Sequence, residues 1–176
     1  YIAFMTTQIE EYLNSNRREA KNKDEEHIPS LAEYAAQRPL FSGGRLSIAL
    51  TAVGMGTDFS DLSEAWAKTA RIRELAEQLI VITNDLFSFE KEKKAGDYHN
   101  WISLLVIHQG MTEDKAREYL IAEHARLLKE FMEQDAEWTQ QYNPDNDLVL
   151  AILKQVKYKV SGVVDWSIKD TVRYSK

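Results

Sequence analysis

The stretch "LAEQLIVITNDLFSFEKE", residues 75–92, decides how this chain folds. Its first half carries apolar side chains at the spacing of one helix face, at Leu75, Leu79, Ile82 and Leu86. Its second half continues the same helix but adds an amide, a hydroxyl and a carboxylate at intervals of four residues. An ordinary amphipathic helix needs no such trio. The stretch therefore predicts a long apolar helix whose polar end serves a function.

Outward from this stretch, helical periodicity covers almost the whole chain. The pattern predicts helices over about residues 1–21, 30–38, 44–53, 60–93, 101–109, 112–138 and 143–171. The segments "RPLFSGG", "GMGTDFS" and "KAGDY" separate them, because proline and glycine interrupt helices. No segment reads as a strand. We predict one all-α domain, residues 1–176, built as a helical bundle.

Composition narrows the class of protein. A chain of 176 residues that is 44% hydrophobic can bury a core, and only three prolines and seven glycines argue against disorder. A net charge of −6 makes nucleic acid an improbable partner. The sequence contains no cysteine, which fits a reducing cytosol, and no apolar run is long enough to span a membrane. These observations predict a cytoplasmic protein that does not bind nucleic acid and does not span a membrane.

The trio consists of Asn84, Ser88 and Glu92. Residues four apart lie on one face of a helix, so three oxygens follow one another along a strip of roughly 12 Å. Such a set is most often a solvated face. However, amide, hydroxyl and carboxylate oxygens are also the ligands that Mg²⁺ accepts, and a set with one negative charge favours a cation shared with a phosphorylated substrate.

The sequence "NDLFSFEKE" resembles the second metal-binding motif, Asn-Asp-x-x-Ser-x-x-x-Glu, of microbial-type class I terpene synthases. "PSLAEYAAQR" is similar to the family segment that ends in a diphosphate-sensing arginine, here Arg38, which lies 46 positions before Asn84. "WSIKDTVRYSK" resembles the closing Arg-Tyr pair, Arg173 and Tyr174, and "GDYHN" also matches the family. The resemblance covers essentially the whole chain, and the metal motif is its most specific part.

The resemblance implies a role for each matching residue. Asn84, Ser88 and Glu92 would hold Mg²⁺, or Mn²⁺ in its place, with three ions bound beside diphosphate in the complete enzyme. The catalytic residues would be Arg38, Arg173 and Tyr174, whose donors bind the leaving diphosphate; an arginine fork can bond two oxygens at once. Lys91 would add a further positive charge.

The resemblance also implies a dry cavity for a carbocation, which aromatic faces stabilise. Ser42 and Gly43 lie at a helix break that the family uses to bring a backbone carbonyl to the substrate, and the choice between them stays open. The candidate aromatic lining residues are Phe87, Phe89, Trp101 and Trp166. We assign Phe87 and Trp166 to substrate binding and note that any of the four can equally be core.

The chain departs from the family pattern because it lacks the first, aspartate-rich motif and the helices that carry it. We therefore expect the C-terminal half of a terpene synthase domain, with the apolar wall of residues 75–86 facing a cavity or the absent half. A homodimer or a partner segment would supply the missing part. The expected activity is Mg²⁺-dependent ionisation and cyclisation of farnesyl or geranylgeranyl diphosphate. The alternatives are a non-catalytic scaffold, a degenerate cyclase and, less favoured, a chain-elongating prenyltransferase.

Overall fold

A computed structural model describes residues 1–54, 59–141 and 148–170. Its helices are α1 (Ile2–Asp24), α2 (Leu31–Phe41), α3 (Gly44–Gly54), α4 (Phe59–Lys68), α5 (Ala70–Lys94), α6 (Trp101–Gln109), α7 (Glu113–Gln141) and α8 (Leu148–Asp165), followed by a π-helical turn (Trp166–Asp170). These ranges contain no strand, so the predicted all-α class is confirmed. None of these helices combines the length and apolarity that crossing a membrane requires.

Helix α5 is the centre of the bundle and packs against α2, α3, α4, α6, α7 and α8. Its apolar wall is buried: Leu75 and Leu79 are 0% exposed and Ile82 is 5% exposed. These side chains join one core cluster with residues of α6, α7 and α8. For Leu75 and Leu79 the expectation of an open cavity or an absent half is therefore wrong, because helices of the same chain cover them. Ile82 lines a cavity of about 380 Å³, as expected, and Leu86 is partly buried against the core. The amphipathic pattern could not show which neighbours cover each side chain.

The predicted single helix over residues 60–93 is divided at Thr69. The Thr69 hydroxyl donates to the carbonyls of Ala65, at 2.9 Å, and Trp66, at 3.3 Å. The guanidinium of Arg73 donates to the same Trp66 carbonyl at 2.7 Å and lies 3.5 Å from the Trp66 ring centroid. Side chains that bond back to helix carbonyls often bend a helix. The periodicity of apolar residues continues through the bend, which is why sequence alone predicts one element.

Helix α2 runs three residues past its predicted end. Pro39 lies inside it, Ser42 still has helical dihedral angles (φ −65°, ψ −21°), and the chain leaves helical geometry only at Gly43. Gly43 has a φ of 76°, a left-handed conformation that side chains with a Cβ rarely adopt. The Ser42 hydroxyl donates to the Pro39 carbonyl at 2.9 Å and accepts from the Gly44 amide at 3.1 Å. The break between α2 and α3 is thus made by the glycine and not by the proline.

The ends of α6 and α7 follow the predicted signals. Asn100 caps α6 by accepting from the Ile102 amide at 2.9 Å, and Gly110 ends it with a φ of 64°. Thr112 caps α7 by accepting from the Lys115 amide at 3.3 Å. Helix α7 continues to Gln141, three residues beyond its expected end. The expected cap of the last helix at Asn143 and its expected end at Thr171 lie outside the described residues.

Candidate active site

A cavity of about 510 Å³ opens where α1, α2, α5 and the end of α8 meet. Six of the residues singled out in the sequence line it: Arg38, Ser42, Asn84, Lys91, Glu92 and Trp166. They come from α2, from the break that follows it, from α5 and from the π-helical turn. Folding thus gathers positions up to 128 residues apart, from Arg38 to Trp166, around one space.

The remaining predicted residues lie elsewhere. Ser88 is completely buried in α5, and within residues 1–54, 59–141 and 148–170 its hydroxyl makes no hydrogen bond of standard geometry, although it lies close enough to Glu92 to oppose the rise that burial causes in the pKa of that carboxyl. Phe87 is partly buried and does not line the cavity. Gly43 is next to the lining residue Ser42 but does not line the cavity itself. Arg173 and Tyr174 lie outside the described residues, so their placement stays a prediction.

Three of the four aromatic candidates, Phe87 among them, do not line this cavity. Phe89 is buried at 2% exposure, and its ring faces the charged groups of Arg117, at 4.8 Å, and Lys93, at 5.7 Å. Trp101 lines a separate cavity of about 380 Å³ between α2, α5, α6 and α7. Trp166 alone among the four lines the larger cavity. Aromatic residues at helical spacing face in several directions, and only packing tells them apart.

Arg38 is fixed by two consecutive residues of α5. Its Nε and Nη2 donate to Asp85 Oδ1 at 3.0 and 2.7 Å, and Nη2 also donates to Asn84 Oδ1 at 2.7 Å. Arg38 is 7% exposed and Asp85 is 0% exposed. Burial by itself lowers the pKa of Arg38, but the neighbouring Asp85 charge outweighs it and the pKa lies above its ordinary value. Arg38 is therefore a permanently charged group held against a candidate metal ligand.

Asp85 is the centre of this polar network. Its second oxygen, Oδ2, accepts from the Tyr34 hydroxyl at 2.8 Å and from the Trp101 amide at 3.0 Å. The Tyr34 hydroxyl is also 2.8 Å from the carbonyl of His99. Burial raises the pKa of Tyr34 well above its usual value, so the phenol stays neutral. The carboxylate of Asp85 thus ties α2 and the start of α6 to α5.

Glu92 is held by a buried amide. Asn100 Nδ2 donates to Glu92 Oε2 at 2.9 Å and to the carbonyl of Asp85 at 2.8 Å. Burial raises the pKa of Glu92, and the hydrogen bond from Asn100 opposes that rise. The carboxylate is thus partly desolvated, and binding a cation would compensate for the lost hydration.

The donor set fits a hard divalent cation. Asn84, Ser88 and Glu92 follow one another on α5, and the buried Ser88 hydroxyl makes no hydrogen bond of standard geometry to any residue of the described ranges. The described residues contain no group of three histidine, aspartate or glutamate side chains that could hold a metal. A set of amide, hydroxyl and one carboxylate would leave positions for water and phosphate oxygens, as Mg²⁺ prefers.

Positive charge lines one side of the same cavity. Lys91 is exposed and makes no ion pair with any residue of the described ranges. Lys23, on α1, also lines the cavity but is paired with Glu19 at 2.6 Å and with Asp97 at 2.8 Å. The cavity therefore combines cations that can bind an anion with oxygen ligands that can bind a metal.

Sequence reasoning missed Asp85, Tyr34 and Asn100. Asp85 is the second letter of the quoted motif, and Asn100 closes the segment "GDYHN". Both residues belong to segments that resemble the family, but their spacing in the sequence does not indicate which buried groups they contact. Asp85 is on a different face of α5 from the trio, and its partners come from α2 and α6.

Comparison with known proteins identifies the family. Residues 2–130 match the family model described as terpene synthase family 2, C-terminal metal binding. The chain is 29% identical to the sesquiterpene synthase Agr3 of Cyclocybe aegerita over 89% of this chain and 43% of that protein. It is 28% identical to the 4-epi-cubebol synthase of Streptosporangium roseum over 94% of this chain and 49% of that protein. The chain thus spans about half the length of these relatives.

Solved structures match the same half. The 2-methylisoborneol synthase of Streptomyces coelicolor A3(2), solved with Mg²⁺ and 2-fluorogeranyl diphosphate, superposes with a TM-score of 0.82 at 25% identity. The match covers 98% of this chain and 55% of that chain. An α-eudesmol synthase shares the fold with a TM-score of 0.77. The predicted terpenoid synthase fold and the predicted resemblance are therefore confirmed. The chain belongs to terpene synthase family 2 and corresponds to the C-terminal half of its relatives.

Proposed function

We propose that this chain forms the diphosphate- and metal-binding half of a terpene cyclase, a carbon–oxygen lyase that ionises a linear prenyl diphosphate and cyclises the resulting carbocation. The observation that carries the proposal is the contact between Arg38 and Asn84 inside a cavity also lined by Glu92 and Lys91. A fixed guanidinium beside oxygen ligands is what a leaving group with several negative charges requires.

Arg38 would bind the diphosphate through the part of its guanidinium that the protein leaves available. Nε and Nη2 are engaged by Asp85 and Asn84, whereas Nη1 makes no hydrogen bond with any residue in the described ranges. An arginine stabilises charge as it builds on the leaving oxygen, without proton transfer. We assign the same task to Lys91 and, beyond the described residues, to Arg173 and Tyr174.

Asn84, Ser88 and Glu92 would hold Mg²⁺, which Mn²⁺ could replace. When bound, the cation would neutralise charge on the diphosphate as the carbon–oxygen bond breaks. Asn84 Oδ1 already accepts from Arg38, and Glu92 Oε2 already accepts from Asn100, so each ligand is oriented before a cation arrives. Three ions in the complete enzyme would require carboxylates in addition to this set.

The break between α2 and α3 offers one carbonyl toward the substrate. The Gly43 carbonyl accepts from the Ser47 amide at 2.9 Å and is thus occupied. Ser42 lines the cavity, and its carbonyl has no backbone partner within the described part of the chain. We therefore assign the substrate contact to Ser42 and a conformational role to Gly43. Trp166 would face the carbocation, and Phe87 would support the wall from behind.

The names of the relatives favour a fifteen-carbon substrate. One is a sesquiterpene synthase, and another is named for cyclising farnesyl diphosphate. We propose farnesyl diphosphate first and geranylgeranyl diphosphate second, since the contour of a cavity sets chain length.

Calorimetric titration with farnesyl thiodiphosphate, an analogue that ionises slowly, tests the proposal in the presence of Mg²⁺. Arg38→Lys keeps the charge but loses the fork, and we expect binding to weaken at least tenfold, about 1.4 kcal/mol. Arg126→Lys is the matched control, because Arg126 pairs only with Glu123 and Glu130 on the surface of α7 among the described residues. Mg²⁺-independent binding, or none at all, would instead favour a scaffold or degenerate cyclase. Elongated chains in place of cyclic products from the complete enzyme would favour a prenyltransferase.

A further inference from the structure

Asn100 occupies the contact between the start of α6 and two separate turns of α5. It is 0% exposed. Its Oδ1 accepts from the Ile102 amide, and its Nδ2 donates both to the Asp85 carbonyl and to Glu92 Oε2. Both amide hydrogens and the carbonyl oxygen are therefore in use. A residue that served only to cap α6 would need the oxygen alone.

The two acceptors of Asn100 lie far apart along α5. Asp85 and Glu92 are seven residues apart, which corresponds to about 10 Å along a helix axis. One amide can reach both only if the Glu92 side chain turns back toward the N-terminus of α5. Helical side chains tilt in that direction, and the turn that Glu92 then covers is the one carrying Ser88. The hydrogen bond thus directs the carboxylate toward the other candidate metal ligands.

Within the described residues, Asn100 makes the only hydrogen bond of standard geometry to the Glu92 side chain, and the Ser88 hydroxyl lies close enough to oppose the rise that burial causes in the pKa of Glu92. Glu92 lies in the last turn of α5, where its carbonyl accepts from Ala95 and Asp97. A glutamate side chain has three rotatable bonds and loses considerable rotamer entropy when it is ordered. Without Asn100, that entropy would have to be lost when the cation binds.

We propose that Asn100 is a positioning residue that holds Glu92 over the Ser88 turn, so that Asn84, Ser88 and Glu92 are arranged before the metal binds. This inference rests on the proposed function, because it needs Glu92 to be a metal ligand. Asn100 itself does not touch the metal or the substrate; it acts through Glu92. Groups that orient metal ligands typically change metal affinity ten- to a hundredfold when removed.

The test measures Mn²⁺ binding to the chain in the presence of inorganic diphosphate, from the electron paramagnetic resonance signal of free Mn²⁺. Asn100→Ser and Asn100→Thr keep an oxygen that caps α6 but cannot reach Glu92. We expect each to weaken Mn²⁺ binding about tenfold or more. Thr112→Ala is the matched control: it removes the cap of α7 and should lower the melting temperature while leaving Mn²⁺ affinity unchanged.

A second comparison separates positioning from simple loss of stability. Glu92→Asp keeps the charge but withdraws the carboxylate from Asn100, so it should bind Mn²⁺ weakly. Adding Asn100→Ser to Glu92→Asp should then cause no further loss, since coupled residues are not additive. Equal losses in both backgrounds, or parent affinity in Asn100→Ser, would overturn the inference while leaving the proposed function intact. Failure of the unaltered chain to bind Mn²⁺ would overturn both.

Discussion

At the scale of single residues, the Asp85 side chain accepts more of the hydrogen bonds that hold the site together than any candidate metal ligand does. Its carboxylate accepts hydrogen bonds from Arg38, Tyr34 and Trp101, and it has no exposed surface. A buried charge is tolerated only when it is paired and its lone pairs are satisfied, and Asp85 meets both conditions. Arg38, the proposed diphosphate-binding arginine, is thus held in the core by Asp85 and is not a mobile surface group.

Asp85→Asn should strongly destabilise the fold. The substitution leaves Arg38 buried without a counter-charge and presents an amide donor where Asp85 now only accepts. We expect a loss of about 3–5 kcal/mol in the free energy of unfolding, measured by urea denaturation. The control is Glu64→Gln, which breaks an exposed pair with Lys68 and should leave the free energy of unfolding nearly unchanged, because solvent screens the pair. Similar losses in the two variants would show that the Asp85 pair is not a structural centre.

Glu92→Gln should stabilise the metal-free chain and weaken metal binding. Burial raises the pKa of Glu92 above its ordinary value of 4.5, so the folded chain favours the protonated carboxyl. The stability that this carboxyl contributes is fully present below pH 4.5 and is lost as pH rises through the raised pKa. The glutamine can still accept from Asn100. We therefore expect a higher melting temperature than the parent at pH 7 and no difference below pH 4.5, where the parent carboxyl is protonated in both states.

The same variant should lose Mn²⁺ affinity by about tenfold or more, since it removes the single carboxylate of the set. Glu118→Gln, on the exposed face of α7, is the control and should alter neither property. A lower melting temperature of Glu92→Gln at pH 7, or unchanged Mn²⁺ binding, would contradict the assignment of a desolvated metal ligand.

At the scale of elements, the break between α2 and α3 depends on one glycine. Gly43 has a φ of 76°, and a Cβ placed there would meet Tyr12 only at an ordinary 3.6 Å. The backbone conformation, and not lack of space, therefore requires glycine. The break matters because it places Ser42 in the cavity wall one helical turn after Arg38.

Gly43→Ala should lower the free energy of unfolding by about 1 kcal/mol, because an L-residue is strained at positive φ. Gly162→Ala is the matched control in the interior of α8, where nothing lies within 4 Å of the added Cβ. It should instead raise stability by roughly 0.5–1 kcal/mol, since alanine favours helices. Chemical denaturation measures the free energy of unfolding of both variants. If the two substitutions change it by the same amount in the same direction, the conformational role of Gly43 is contradicted.

At the scale of the whole molecule, the proposed metal ligands Asn84, Ser88 and Glu92 include one carboxylate, and two other carboxylates in the cavity wall, Glu19 and Asp97, are paired with Lys23. We expect the 176 residues alone to bind diphosphate with Mg²⁺ but not to convert farnesyl diphosphate into cyclic products. Incubation followed by gas chromatography and mass spectrometry of the extract measures this directly. A monodisperse monomer that forms cyclic terpenes at the rate of a complete cyclase would refute the half-domain interpretation.

The sequence by itself determined the all-α class, most helix boundaries to within three residues, and the family. These properties are local: apolar periodicity, capping residues and a motif confined to one helix are readable without knowing what packs against what. The resemblance also supplied the candidates Arg38, Asn84, Lys91, Glu92 and Trp166, all of which line one cavity.

Only the tertiary structure decided which of these side chains meet and what supports them. The contacts of Asp85 and Asn100 join α5 to α2 and α6 across long sequence separations, and no periodic pattern encodes them. The same is true of Leu75 and Leu79 in the apolar wall of α5. The sequence marks them as buried, but only the structure shows that α6, α7 and α8 cover them. Burial against a particular neighbour is a property of the packed bundle, since many partners satisfy one apolar face equally well.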